Sequence, residues 1–302
     1  MNKEIIEEIK RLKKEKNAVI LAHNYQTGDI QDIADFTGDS LQLAKEVIKV
    51  DADIIVFCGV RFMAEMAHML NPNKKVLIPR IDAGCPMADT ITDIDVIELR
   101  KKYPDHTFIA YVNTNADVKA NIDICCTSSN ALTIVKNVDN DKIVFLPDRN
   151  LGGYIKDRIT NKEIILWDGE CNVHDRITAD DVKRAKKAHP NAKVISHPEC
   201  KKEVVDLSDA ALSTGEMVKY VRESDAEEIL VGTEEGMIHR LQKEAPNKKF
   251  YSISGNFVCP NMKKTHLEDI LEVLQIEKNE ITLPKEIREK GKKTLDEMLK
   301  YL

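Results

Sequence analysis

The chain has 302 residues, with 45 Lys and Arg against 51 Asp and Glu, 42% hydrophobic residues, 12 Gly and 10 Pro. Its apolar content excludes a disordered chain, and no apolar run approaches the roughly 18 residues that a membrane span needs. A net charge of −6 argues against nucleic acid as a partner, and the seven cysteines contain no C-x-x-C pair of the kind found in zinc fingers and thioredoxin motifs.

The opening MNKEIIEEIKRLKKEKN reads as a charged amphipathic helix without the apolar core of a signal peptide. The apolar run AVILA follows from Ala18. A polar Gly38-Asp39-Ser40 turn, suited to an N-cap, then precedes the helical LQLAKEVIKV, with Leu41, Ala44, Val47 and Ile48 on one face. IIVF from Ile54 leads into the helix-like FMAEMAHML, and VLI begins at Val76. The order then returns. FIAYV from Phe108, a Thr127-Ser128-Ser129-Asn130 turn, ALTIVKNV, IVFL from Ile143, LGGYIKDRI and IILW from Ile164 form a second set. VIS from Val194, Ser213-Thr214-Gly215, EMVKYVRE, ILV from Ile229, GMIHRLQKEA and FYSI from Phe250 form a third. Pro284 to Leu302, with Ile287, Leu295, Met298, Leu299 and Leu302 as its apolar positions, reads as a tail helix docking on the body.

Short continuous apolar runs fit strands buried on both faces of a parallel sheet, and alternation with helices places helices on those faces. The starts repeat at intervals of 90 and 86 residues for the first runs, 89 and 86 for the second, and 88 and 86 for the third. The expected fold is therefore α/β, with three similar α/β/α sandwich domains around a pseudo-threefold axis. The expected domains are residues 1–86, 87–172 and 173–260, with 261–302 a helical tail.

Each third run is followed by a cysteine, Cys85, Cys171 and Cys259, spaced 86 and 88 residues apart. A repeat that places strands also places one thiol per unit, so the three converge if the units share an axis. Three thiolates make a metal site with an open position, either zinc or a 4Fe–4S cluster with one exposed iron. Gly84, Gly169 and Gly255 nearby suggest tight turns that aim the thiols. Cys58 reads as core, adjacent Cys125 and Cys126 do not easily share a metal, and Cys200 has no repeat partner.

The first strands end in polar groups at equivalent places: His23-Asn24-Tyr25, Tyr111-Val112-Asn113 and His197-Pro198-Glu199. These types supply general acids and bases. Ser40, Ser128, Ser129, Ser213 and Thr214 lie at helix starts, where hydroxyls and free N–H groups bind carboxylates or phosphate. Asp148, Arg149 and Glu234 are expected in salt bridges between units. His68, His106, His189 and His266 fall on predicted surfaces without a role.

AHNYQ (22–26), GDS (38–40), FCGVRFMAE (57–65), CPMAD (85–89), YVNTNADVKA (111–120), CTSSNA (126–131), PDRNLGGY (147–154), HPEC (197–200), STGEM (213–217), GTEEGM (232–237) and CPNMK (259–263) together resemble the quinolinate synthase family, from about residue 14 to about 275. The resemblance implies condensation of iminoaspartate with dihydroxyacetone phosphate to give quinolinate, phosphate and water in de novo NAD synthesis. It implies a 4Fe–4S cluster on Cys85, Cys171 and Cys259, with one iron lacking a protein ligand. It carries over His23, Tyr25, Ser40, Tyr111, Asn113, Ser128, His174, His197, Glu199, Ser213 and Thr214 as active-site positions. Glu199 is the expected general base, with Tyr25 and His23 moving protons and the others anchoring substrate. A functional link to an iminoaspartate-producing enzyme, oxygen sensitivity and a reducing, cytoplasmic setting follow, without nucleic acid or membrane. One departure stands out. The family usually has Trp-Pro-Gly before the second cysteine, whereas this chain has Trp167-Asp168-Gly169-Glu170. The competing readings are a three-thiolate zinc hydrolase acting on a small anionic metabolite, and a non-catalytic binder of such a metabolite.

Overall fold

A computed structural model describes residues 2–301; Leu302, the last apolar position of the expected tail helix, lies outside the described residues. Three four-stranded sheets follow one another along the chain. The first contains β1 (Ala18–His23), β2 (Phe36–Gly38), β3 (Ile54–Cys58) and β4 (Lys75–Leu77). The second contains β5 (Thr107–Tyr111), β6 (Ile124–Cys126), β7 (Lys142–Leu146) and β8 (Glu163–Leu166). The third contains β9 (Lys193–Ser196), β10 (Ala210–Ala211), β11 (Glu228–Gly232) and β12 (Lys249–Ser252). Every strand pairing in these sheets is parallel, and the spatial order is the same in each: β2-β1-β3-β4, β6-β5-β7-β8 and β10-β9-β11-β12. Register repeats as well, with His23 beside Gly38, Tyr111 beside Cys126 and Ser196 beside Ala211.

The apolar runs form strands because alternate residues feed two cores. In the first sheet Leu21, Ile55 and Phe57 pack on one side, and Ile20, Ala22, Ile54, Val56 and Cys58 on the other. In the third, Val194 and Leu230 face one cluster, and Ile195, Ile229 and Val231 the other. Such two-sided burial is the mark of a parallel sheet covered by helices on both faces. The edge strands β2, β6 and β10 are additions to the three-run pattern. At two or three residues each, they are too short to stand out as apolar runs.

Helix Ser40–Lys49 buries Leu41, Leu43, Ala44 and Val47, whereas Ile48 is 48% exposed and does not belong to that face. Asp39 and Ser213 act as N-caps of helices 40–49 and 214–223, each in a reciprocal capping box with Gln42 or Glu216. A further helix follows each cysteine loop: Asp93–Lys102, Ala179–Ala188 and Leu267–Ile276. Each packs on the sheet that comes next around the ring. Val182 and Ala185 join the cluster of Val194, and Arg100 lies over the Phe108 ring at 4.4 Å. Leu267, Ile270, Val273 and Leu274 return to the first sheet, beside Ile54 and Val56 and against Ile9 and Leu12 of the N-terminal helix Asn2–Glu15. The terminal helix Lys285–Leu299 buries Leu295 and Met298. Among the described residues no helix is long and apolar enough to cross a membrane.

Candidate active site

In a parallel α/β sheet, ligands bind beyond the carboxyl ends of the strands, where chain connections leave in opposite directions. Here that point lies between β1 and β3 and at its two counterparts. All three open on one cavity. His23 ends β1, Tyr111 ends β5, and His197 follows β9; all three line the cavity.

Cys85, Cys171 and Cys259 line the same cavity, one from each unit. They sit in loops beyond β4, β8 and β12 rather than at the strand tips. The backbone of these loops repeats closely. Arg61 N–H donates to the Ala83 carbonyl, Arg149 N–H to that of Gly169 and Glu235 N–H to that of Phe257, each at 2.8 Å and each two residues before the cysteine. Only the middle loop requires its glycine. A Cβ at Gly169 would stand 2.5 Å from both the Pro147 carbonyl and Thr90 Oγ1, whereas Gly84 and Gly255 have room for one. Among the described residues no glycine has a positive φ, so the sequence argument for three aimed turns holds at Gly169 alone.

Burial pushes the Cys85 thiol up to about 12 and raises those of Cys171 and Cys259, while backbone N–H groups oppose it. These donors come from Ala88 and Met87 to Cys85, from His174 to Cys171, and from Met262 and Asn261 to Cys259. Half-buried thiols facing backbone N–H donors and each other suit a cationic metal centre, which supplies the compensation the protein lacks.

The cysteine backbones are held by carboxylates in two units. Asp148 accepts from Cys171 N–H (3.2 Å) and Leu151 N–H (2.7 Å), and Glu234 accepts from Cys259 N–H (3.0 Å) and Gly236 N–H (2.7 Å). The equivalent residue of the first unit is Val60. The expected ion-pair role is therefore wrong for Asp148, a buried carboxylate that forms no ion pair among the described residues. It holds for Glu234, whose partner Lys263 (2.9 Å) also reaches the Tyr25 carbonyl of the first unit (2.7 Å). Arg149 joins Asp168, Glu170 and Asp175.

Beside Cys171 a hydrogen-bonded chain crosses the site. Tyr25 Oη lies 2.6 Å from Thr233 Oγ1, which lies 2.9 Å from His174 Nε2; His174 Nδ1 lies 2.8 Å from Glu199 Oε2. Cys171 Sγ is 3.2 Å from the same Nδ1, and Cys171, His174 and Glu199 form a group whose ligand atoms lie within 4.8 Å of one another. Tyr111 donates to Glu199. Burial alone would raise Glu199, but His197, His174 and Tyr111 hold it below the usual carboxylate range. Burial raises both tyrosines well above their ordinary value. An ionised Glu199 accepts from His174 Nδ1–H, and Thr233 Oγ1 bridges His174 Nε2 to the Tyr25 hydroxyl.

His23 and His197 share one turn geometry. Nδ1 of each accepts from a backbone N–H two residues on, Tyr25 at 3.2 Å and Glu199 at 3.3 Å. That assigns the remaining proton to Nε2, which in His197 lies 3.2 Å from Ser128 Oγ. Burial depresses His23 to about 3 and His197 to about 4, so both are neutral near pH 7.

Ser40, Asn113, Ser128, Thr214 and Asn172 complete the polar wall. Asn113 Oδ1 is buried and has no partner in the protein. Among the described residues no Lys or Arg lines the cavity. Of the positions expected at the site, Ser213 and Ser129 stand off the wall, Ser213 with its hydroxyl bonded to Glu216 at 2.8 Å and Ser129 with its hydroxyl 2.8 Å from Thr127 Oγ1. Thr233 was overlooked, although a hydroxyl directly after β11 was a readable signal. His68, expected on the surface, is 7% exposed and faces the interior. Cys200 is buried with its sulfur toward the Gly232 carbonyl (3.5 Å), and Cys125 contacts Thr294 Oγ1 (3.2 Å).

Residues 7–300 match the family described as "Quinolinate synthetase A protein". The chain is 50% identical over 300 residues to a quinolinate synthase of Caldicellulosiruptor bescii, covering 99% of each chain. It is 51% identical over 296 residues to one of Alkaliphilus metalliredigens (98% of this chain, 97% of the relative), and 49% over 302 residues to one of Aquifex aeolicus (98% and 94%).

Proposed function

The chain belongs to the quinolinate synthase family and is an enzyme that makes quinolinate for NAD biosynthesis, and from that premise we propose that it condenses iminoaspartate with dihydroxyacetone phosphate in the cavity where its three units meet. The observation that carries this reading is the arrival of one thiol from each unit on the wall that also holds Glu199, His174 and Tyr25.

Cys85, Cys171 and Cys259 would hold a 4Fe–4S cluster. When bound, the cluster supplies Lewis acidity at the iron without a protein ligand. The protein's own groups do the rest. Ionised Glu199 removes a proton from substrate carbon or nitrogen. His174, already hydrogen-bonded to Glu199, passes protons between it and Thr233, and Tyr25 delivers a proton to a departing oxygen from the far end of the chain. Neutral His23 offers Nε2–H to a developing oxyanion. Ser40, Asn113, Ser128 and Thr214 hold carboxylates and phosphate through neutral side-chain donors. Buried aliphatic and aromatic neighbours such as Val60, Phe62 and Met63 exclude water, which matters for an imine that hydrolyses readily.

An exposed iron site and seven free thiols fit a reducing cytoplasm, and the lability of iminoaspartate requires a functional link to the enzyme that produces it. The test is an anaerobic assay with both substrates on iron- and sulfide-loaded protein, which is expected to accumulate quinolinate. Cys85→Ser, Cys171→Ser and Cys259→Ser should each lose iron, sulfide and activity together. Loaded protein that makes no quinolinate refutes the proposed condensation, and zinc without sulfide in the active protein refutes the cluster.

A further inference from the structure

The proposed ligands carry carboxylates and phosphate, yet the cavity wall holds no fixed cation. A wholly buried one stands one layer behind it. Lys119 closes the short helix Ala116–Lys119 and is 0% exposed. Its Nζ donates to the Val112 carbonyl (2.7 Å), to the Thr114 carbonyl and to Thr114 Oγ1 (3.2 Å). The Thr114 hydroxyl uses its own proton on the Tyr111 carbonyl (3.2 Å), so its oxygen can only accept from Lys119. Burial pulls the Lys119 amine below its ordinary value, but the three acceptors around Nζ match the three N–H groups of an ammonium and favour the charged form. Lys119 forms no ion pair among the described residues, so no carboxylate directly cancels its charge. Burying an unpaired charge is costly, and such a residue points to function.

The groups that Lys119 fixes bracket the cavity wall. Directly or through Thr114 it ties down the carbonyls of Tyr111, Val112 and Thr114, on both sides of Asn113. From the other end, Ala116 N–H donates to Glu65 Oε2 (3.0 Å), and Arg61 Nε holds Glu65 at 3.0 Å. The segment from Tyr111 to Ala116 is thus clamped from both ends, with Asn113 Oδ1 the polar atom left without a protein partner.

We propose that Lys119 is a positioning residue that sets the aim of Tyr111 and Asn113 and supplies, from behind the wall, the positive potential by which neutral donors hold a dianionic ligand. The inference rests on the cavity being the ligand site. Its test uses anaerobic, cluster-loaded protein and quinolinate itself as the probe, followed by calorimetric titration. Lys119→Gln should weaken quinolinate binding and raise KM by roughly ten- to a hundredfold. Lys119→Arg should recover most of the affinity. The loss in Lys119→Gln should be smaller for a pyridine monocarboxylate than for quinolinate, a charge dependence that a merely structural role would not produce. Thr114→Val, a milder change, removes one acceptor and should weaken binding several-fold, which keeps the test open should Lys119→Gln not fold. Unchanged affinity in folded Lys119→Gln, or in Thr114→Val if the former does not fold, overturns the inference. Asn113→Ala separates the two layers. If it too binds as the parent does, the cavity is not the ligand site; if it alone loses binding, only the role of Lys119 fails.

Discussion

Replacing Thr233 by Val tests the proton chain at its narrowest link. Valine keeps the shape of threonine but loses the oxygen that stands 2.6 Å from Tyr25 Oη and 2.9 Å from His174 Nε2. Thr233 is 1% exposed and its bond to His174 is buried, so no water replaces that bond readily. Each group left unpaired costs about 1–3 kcal/mol, which should lower the unfolding midpoint noticeably without abolishing the fold. The effect on turnover should be larger. Tyr25, whose phenol burial raises well above its ordinary value, does not give its proton to a departing oxygen unless Thr233 is in line to replace it. Losing one positioned acid–base partner costs roughly a hundred- to ten-thousandfold in rate. Thr233 does not line the cavity, so KM should change far less than kcat. Thr233→Ser restores the oxygen and should recover most of the activity. The assay is steady-state quinolinate formation under anaerobic conditions, with iron content measured on the same samples. A Val variant that keeps its iron and turns over within about threefold of the parent would remove Thr233 from the proton path.

Three further outcomes follow from the geometry. Gly169→Ala drives a Cβ into the Pro147 carbonyl and should displace the Cys171 loop and lower iron content, whereas Gly84→Ala, with its nearest neighbour at 3.9 Å, should bind iron normally. Asp148→Asn turns an amide NH2 toward one of two backbone donors, so a loss of about 1–3 kcal/mol in denaturant unfolding is expected, together with weaker retention of iron against a chelator. The third concerns pH. His23 and His197 titrate near 3 and 4 in the folded chain, below the ordinary value of 6.5, so on acidification the unfolded chain takes up their protons first. Their stabilisation is complete above about pH 6.5 and falls away as pH drops toward 4; Glu199, also held low, adds a loss in the same direction. Unfolding midpoints measured from about pH 7.5 to 5 should decline, and a flat series would contradict the burial of neutral histidines.

The repeat was legible because a strand buried on both faces has little choice of residue. Runs such as IIVF at Ile54 and IVFL at Ile143 carry no polar position to blur their edges. What the runs concealed was short or solvent-facing. β10 is two alanines, and helix 93–102 buries Val96 while leaving Ile94 64% and Ile97 42% exposed, so its apolar residues mark no single face. The same limit applied at the site. Histidines, tyrosines and cysteines at repeated positions could be read from chemistry and spacing. Thr233 and Lys119 act through oxygens brought to them by folding, Thr233 through Tyr25, 208 residues away, and Lys119 through carbonyls that any sequence would possess.

Threefold repetition accounts for the arrival of one cysteine from each unit on the cavity wall but not for the chemistry around them. Were the units identical, each would bring the same residue to the position held by Val60, Asp148 and Glu234, and each first strand would end alike. Instead the backbone bond before each cysteine is kept at 2.8 Å while the side chains diverge. The first unit gives up its carboxylate there for a valine on the cavity wall. The second contributes Tyr111 and Asn113 on a loop clamped by a buried cation. The third concentrates Glu199, His197 and Thr233, with His174 beside the preceding cysteine, into one acid–base face. His197, His174 and Tyr111 hold Glu199 below the usual carboxylate range, while burial depresses His197 itself. Those conditions depend on closure of the ring, which helix 267–276 completes by returning from the third unit to cover the first sheet. Substitutions that loosen that helix, far from any ligand, should therefore reach the site through all three walls at once.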